Sequence, residues 1–347
     1  MARYLSRPPY GRPRSRTRNR IYIVSALLII AVVVAFIYGT HPFGKSKNET
    51  PATSTDTDVW NEPAQPSVIT PKPKPLPEPN LSKIAPKPTA QSNPEVDKLI
   101  AEAMLLINAK PGGIIEARDI LNDALPMPMS PQQQELVKKQ LLWLADKWLF
   151  SRSIFPRDTL CSTYKVKPGD RLEAIGRQFK VPYEILMRIN NITRPQALQA
   201  GDTIKVIHGP FHARVYRSTF TMDLYLQDAH FIRSFHVGLG RPDMQTPTGL
   251  WRVKPGGKLI KPVWTDPITN KTYHPEAPDY PLGSRWIGLE GIEGQAKGRT
   301  GFAIHGTKNP EEIGTAGSQG CIRLHNGVVV LVYDLLTPGF SQVRVVE

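Results

Sequence analysis

The sequence predicts a multidomain chain. A mainly β C-terminal domain, sandwich or barrel, is preceded by a βααβ module, a small α-helical segment and a transmembrane helix. Three observations carry this expectation. Residues 21–38 are an uninterrupted apolar run, residues 42–94 are crowded with proline, and the apolar periodicity then changes from helical between 94 and 153 to short alternating runs after 213. At 347 residues, with 34 prolines and 26 glycines, two or three compact units joined by linker are expected.

Residues 1–20 hold seven arginines and no acid, half of the formal net charge of +14. The remainder is mildly basic, which suits an anionic polymer or surface; no recognition-helix or zinc-finger spacing points to nucleic acid. Ile21 to Tyr38 are eighteen residues without a charge, roughly 27 Å of helix, enough to span a bilayer. The arginines before it and only Lys45 and Lys47 soon after put the N-terminus in the cytoplasm and the rest of the chain outside. The run is longer than a signal-peptide core and Gly39-Thr40-His41-Pro42 has no small-x-small cleavage site, so an uncleaved anchor is expected. The linker over 39–93 centres on Pro71-Lys72-Pro73-Lys74-Pro75-Leu76-Pro77-Glu78-Pro79. Alternate prolines forbid helix and ladder and favour a semi-rigid polyproline II spacer.

Over 94–158, Val96, Leu99, Ile100, Ala103, Met104 and Ile107 follow a helical rhythm that Lys110-Pro111-Gly112-Gly113 breaks. A second helix covers Ile114 to Leu125. Ser130-Pro131-Gln132-Gln133 reads as a capping box opening a third, with Leu136, Leu141, Leu144 and Trp148 on its apolar face. No chemistry is evident here, and a packing or spacer role is expected of this pair-like helical unit, which resembles a tetratricopeptide-type arrangement.

Over 162–208, Tyr164-Lys165-Val166-Lys167-Pro168-Gly169-Asp170 reads as strand and turn. Two helices follow, carrying Leu172, Ile175, Phe179, Leu186 and Asn190, and Gly201-Asp202-Thr203-Ile204-Lys205-Val206 closes the unit as a strand. This segment resembles a LysM module, a family that binds N-acetylglucosamine-containing glycans such as peptidoglycan and chitin. The resemblance places the sugar groove between the loop after the first strand and the loop after the second helix. Its candidate contacts are Gly169, Asp170, Arg171, Asn190, Asn191 and Ile192, several of which also fit turn or capping roles.

From 211 to 347 short alternating runs at 214–217, 220–226, 231–237, 249–253 and 342–346 predict strands, and Asn326 is placed to cap a helix through Val328, Leu331, Val332 and Leu335. His305-Gly306-Thr307 and Ser318-Gln319-Gly320-Cys321-Ile322-Arg323-Leu324 set an imidazole and a thiol sixteen residues apart. A thiol attacks as thiolate, and a neighbouring imidazole is the usual means of making one, so a Cys/His acyl-transfer centre is expected. If 302–305 is a strand, Ala303 and His305 share one face while Phe302 and Ile304 anchor the other; an extended 321–325 puts Cys321, Arg323 and His325 together. His305 serves as base, Gly306 and Gly320 permit close backbone approach, and amides near Cys321 supply an oxyanion site. Arg323 is suited to a bidentate carboxylate contact or to a structural ion pair. Ser318 belongs to the loop's hydrogen bonding. Of the two cysteines, Cys161 and Cys321, a disulfide would consume the nucleophile, so two free thiols are expected.

These motifs, with Thr246-Pro247-Thr248-Gly249 and Pro281-Leu282-Gly283, resemble the YkuD-type L,D-transpeptidase domain. The resemblance implies an enzyme acting on peptidoglycan, without cofactor or metal, and the apolar run 21–38 makes it a membrane-anchored one. Cys321 attacks the carbonyl of the third stem residue, terminal D-alanine leaves, and an amine resolves the thioester; Arg323, Ser318 and Gly320 line the substrate. Many relatives carry histidine at Gln319 and acids at Gly327 and Val328, so this chain departs there. Alternatives are resolution by water, giving a carboxypeptidase or endopeptidase, and a non-enzymatic wall tether. A zinc site from His305, Cys321 and His325 has suitable ligand types at an unfamiliar spacing.

Overall fold

The computed structural model describes residues 91–109, 113–227 and 229–347. The basic tail, the expected anchor at 21–38 and the proline-rich stretch to residue 90 lie outside the described residues. Among the described residues no helix is long and apolar enough to cross a membrane.

The helical segment forms α1 (Pro94–Asn108), α2 (Ile114–Ala124) and α3 (Pro131–Trp148). Asn93 caps α1 by accepting from the Glu95 amide at 3.0 Å. The capping box is present: Gln133 N donates to Ser130 Oγ at 3.3 Å and Ser130 N to Gln133 Oε1 at 3.1 Å. Val137, Leu141, Leu144 and Trp148 are buried, whereas Leu136, expected on the apolar face, is exposed, one position off the buried stripe.

β1 (Cys161–Lys165), α4 (Leu172–Gln178), α5 (Tyr183–Asn190) and β2 (Thr203–Ile207) follow in the expected βααβ order, with β1 and β2 paired antiparallel. Leu172, Ile175, Ile185, Leu186 and Ile189 fill the small core between helices and strands. Lys205 is 2% exposed; its ammonium donates to the carbonyls of Trp148, Ser151 (3.0 Å) and Ser153 (2.8 Å). A cation at the C-terminal end of α3 meets both the orphan carbonyls and the negative end of the helix dipole.

The rest of the chain is built on one eight-stranded sheet. Its order is β13 (Ile322–Arg323), β11 (Phe302–His305), β10 (Trp286–Glu293), β7 (Gly249–Leu259), β14 (Gln342–Val346), β3 (Phe211–Tyr216), β4 (Thr221–Leu226) and β5 (His230–His236). The domain is mainly β as expected. Its eight main strands form one continuous curled sheet that runs from β13 to β5. Most neighbours run antiparallel, but β14 with β3 and β11 with β13 are parallel. Register shifts between β7 and β10, and a bulge in β5 at Ile232 opposite Leu224–Tyr225, bend the sheet. Helix α6 (Asn326–Leu335) follows β13, and one hydrophobic core runs continuously from Val96 to Val345.

The helical segment is therefore more than a spacer: it covers the β5 edge, the liability of any open sheet. Asn122 Oδ1 accepts from Phe231 N at 2.8 Å, Arg233 pairs with Asp146, and Lys138 Nζ reaches Asp223 at 2.7 Å. Asp223 is fully buried, and its second oxygen has no partner among the described residues. Lys138→Met is expected to destabilise the chain by about 3 kcal/mol in denaturant unfolding, because it strands a buried carboxylate; adding Asp223→Asn should recover most of that loss.

Candidate active site

The site grows from strand register. His305 stands opposite Trp286 of β10 on one side and Arg323 of β13 on the other, and Ile304 opposite Ile322. Paired residues share a face, so Trp286, His305 and Arg323 form a row, with Ala303 and Cys321 one step of two residues along it. Ile304 is buried on the opposite face and Phe302 packs on Trp251 with ring centroids 4.9 Å apart. The indole of Trp286 lies nearly parallel to the imidazole, centroids 5.6 Å apart and planes 15° apart.

His305 is 4% exposed, and its Nδ1 lies 2.6 Å from Gly306 O. A carbonyl only accepts, so Nδ1 carries the proton and Nε2 keeps its lone pair. Burial pushes His305 down to about 4, reinforced by the Arg323 charge and opposed by the Gly306 carbonyl. Burial likewise pushes the Cys321 thiol up to about 11, against the Ala303 backbone and the Arg323 charge. The resting pair is thus neutral thiol and neutral imidazole. His305, Cys321 and Arg323 line one cleft of about 550 Å³, walled also by Trp264, Pro281, Leu282 and Trp286.

The loop before Cys321 is braced from several sides. Ser318, 1% exposed, donates to Cys321 O at 2.6 Å and accepts from Gly320 N at 3.1 Å. The Gly320 amide is therefore engaged within the loop. Thr246 Oγ1 donates to Gly320 O at 2.9 Å and accepts from Gly240 N at 3.0 Å. Gly320 has φ +109°, and a Cβ there would lie 2.7 Å from the Phe302 ring, so only glycine fits.

Asn326 departs from its expected role. His325 stands at the N-cap, and Asn326 is the first residue of α6. Its Oδ1 accepts from Ser284 N at 3.1 Å and its Nδ2 donates to Thr307 O at 2.9 Å. A Cβ on Gly306 would come within 2.2 Å of that Oδ1, which is why the residue after His305 is glycine. The carboxamide thus clamps the Gly283–Ser284 turn to the histidine loop. Arg323 pairs through Nη1 with Glu312 in the 308–314 loop, so the expected ion pair exists, with a loop acid instead of a sheet acid. His325 is exposed and lines no part of the cleft; the extended row ends at Arg323.

Residues 210–345 match the L,D-transpeptidase catalytic domain family and residues 164–206 the LysM domain. A Bacillus subtilis (strain 168) protein named as L,D-transpeptidase YkuD is 30% identical over 184 residues, 51% of this chain and 94% of its own length. The chain belongs to the L,D-transpeptidase family. The Escherichia coli (strain K12) protein named as L,D-transpeptidase ErfK/SrfK is 29% identical over 171 residues, 46% of this chain and 49% of that protein. The solved catalytic domain of an E. faecium L,D-transpeptidase is 21% identical, covering 39% of this chain and 95% of that one, with a TM-score of 0.30.

In this L,D-transpeptidase the second cleft lies on the LysM module. It is an open cleft between Asp170–Ala174 and Arg177 on one wall and Pro195, Gln196 and Leu198 on the other. Asp170 and Arg171 stand where the sequence expects them, although Asp170 Oδ2 already accepts from Tyr164 OH at 2.9 Å and Lys167 N at 2.8 Å. Gly169 supplies the turn at φ +87°. Asn190, Asn191 and Ile192 do not line the groove. Asn190 is buried, giving Nδ2 to Leu186 O and Lys205 O and taking Lys205 N on Oδ1; Asn191 is the left-handed helix C-cap, and Ile192 packs on the core.

Sequence reasoning missed Trp264, Pro267, Trp286 and Asn326 around the catalytic cleft. Trp264 belongs to a hairpin of β8 (Trp264–Thr265) and β9 (Thr272–Tyr273), too short to show a period. Gln319 reaches toward Asp266 of that hairpin at 3.5 Å. Among the described residues no group of three His, Cys, Asp or Glu is placed to hold a metal ion.

A thiol near 11 is almost wholly protonated at pH 7, so in the full chain the rate of Cys321 alkylation by iodoacetamide should climb about tenfold per pH unit and level near pH 11. A plateau already at pH 8 would show that the folded site holds a thiolate.

Proposed function

We propose that the chain is a peptidoglycan L,D-transpeptidase working outside the cytoplasmic membrane, held there by residues 21–38 and drawn to the wall by its LysM groove. The reading rests on one observation above all. Cys321 and His305 stand on one face of a parallel strand pair and line the same cleft, with the Nδ1 proton engaged and Nε2 left as the acceptor.

The chemistry follows from the neutral resting pair. As the carbonyl of the third stem residue enters, the Cys321 proton passes to His305 Nε2 while the S–C bond forms. An imidazole near 4 holds no proton at pH 7 and is free to take it. Collapse of the tetrahedral species breaks the C–N bond, and His305 returns the proton to the departing D-alanine amine. An acceptor amine then gives its proton to His305, attacks the thioester carbonyl and releases the sulfur, which recovers the proton. Arg323 hydrogen-bonds to the stem peptide in the cleft, and Asn326 with Gly306 keeps the imidazole loop against Gly283 and Ser284.

The full chain incubated with a carbapenem should gain the mass of one adduct, located on Cys321 by peptide mass spectrometry. Cys321→Ala should abolish it, and His305→Ala should slow it by roughly 10²–10⁴. No adduct, or one that survives Cys321→Ala, would overturn the reading. With a stem tetrapeptide, released D-alanine must be matched by acceptor-linked product; matching by free tripeptide would make the chain a carboxypeptidase.

A further inference from the structure

Arg323 lines the catalytic cleft, whereas the carboxylate that holds it does not. Glu312 closes the short 3₁₀ turn Pro310–Glu312 behind the cleft. Its backbone is fixed, with its carbonyl accepting from Thr315 Oγ1 at 2.9 Å. Its Oε2 accepts from Arg323 Nη1 and its Oε1 from Asn309 Nδ2 at 3.2 Å. Asn309 N in turn donates to Thr307 Oγ1 at 3.0 Å, two residues beyond His305. A polar chain therefore runs from the histidine loop through Asn309 and Glu312 to the guanidinium. Both side chains of the pair are shielded, Arg323 20% and Glu312 27% exposed, so solvent screens it less than an open surface pair. Among the described residues no other side chain takes the remaining donors of the Arg323 fork.

We propose that Glu312 is a positioning residue that sets the charge selectivity of this cleft, a reading that rests on Cys321 being the nucleophile. The pair aims the guanidinium but offsets most of its charge. An anionic group arriving at Arg323 must share it with Glu312 or displace it, while an uncharged group hydrogen-bonds to the free donors without that penalty. The site so built favours stem peptides whose carboxyl at this place is amidated over those that carry it free. The same offset weakens the pull of Arg323 on its neighbours. Since the Arg323 charge lowers both Cys321 and His305, removing the opposing carboxylate lowers both further.

The test uses two alkylating probes of similar size and different charge, iodoacetamide and iodoacetate, on the full chain and on Glu312→Gln and Glu312→Ala. In both reactions the Cys321 sulfur bonds to the methylene carbon and iodide leaves with its electron pair. Peptide mass spectrometry separates Cys321 from the buried Cys161. The iodoacetate-to-iodoacetamide rate ratio should rise about threefold or more in either variant, and the pH midpoint of alkylation should fall. Glu312→Asp, which keeps the charge, should hold the ratio near that of the unaltered chain. A ratio and midpoint unchanged in a folded variant would overturn the proposal while leaving the cysteine reading intact. Cys321 unreactive to both probes at every pH, in chains that fold, would overturn the cysteine reading and this one with it.

Discussion

The parallel register of β11 and β13 is the constraint on which the site depends. Two strands of four and two residues hold the base, the thiol and the guanidinium in line, because His305 opposite Arg323 places Ala303 beside Cys321. A slip of one residue would turn all of these side chains to the other face. Ladder hydrogen bonds alone give so short a pair little authority over register. Its fidelity comes from the opposite face, where Ile304 and Ile322 are buried, and from the β10 strand that pins Trp286 against His305.

Close backbone approach around that pair explains much of the local sequence. Gly283, Gly306 and Gly320 stand where a Cβ would meet the Asn326 carboxamide or the Phe302 ring. These glycines are demanded by neighbours rather than by catalysis, since the backbone must pass close enough for one carboxamide to bridge Ser284 and Thr307. Losing the bridge would take that partner from the Ser284 amide and from the Thr307 carbonyl, on either side of the imidazole. The neutral, desolvated His305 fits this enclosure, because a buried imidazolium without a carboxylate beside it would be costly.

How much of this was legible in the sequence varies with the kind of signal. The helices and the βααβ module carry regular apolar spacing and clear caps, and the third helix begins at the predicted capping box. The central strand Trp286–Glu293 was missed because Gly288 and Gly291 interrupt its alternation; a Cβ at Gly291 would meet Ala296 O at 1.7 Å. The strand order was not legible for a related reason: strand signals show pairing partners poorly, and nothing local reveals that eight strands join in one continuous sheet. Cys321 and His305 were legible from motif chemistry. Asn326 was not, because an asparagine before an apolar helix is also what a cap looks like, and only the fold brings Ser284 within reach of it.

The LysM module and the catalytic sheet are joined by more than a linker. Glu184 and Arg188 of α5 face Lys258 of β7 and Asp334 of α6, with Arg188 to Asp334 at 2.9 Å and Lys258 to Glu184 at 3.9 Å. The Lys258 ammonium also sits 4.1 Å from the Tyr333 ring centroid, and burial pushes it down to about 8. Lys205 ties the module's closing strand to the end of α3, which itself covers the sheet edge. The Lys205 and Lys258 side chains are buried, so these two ties would leave desolvated ammonium groups without these partners if the module swung away.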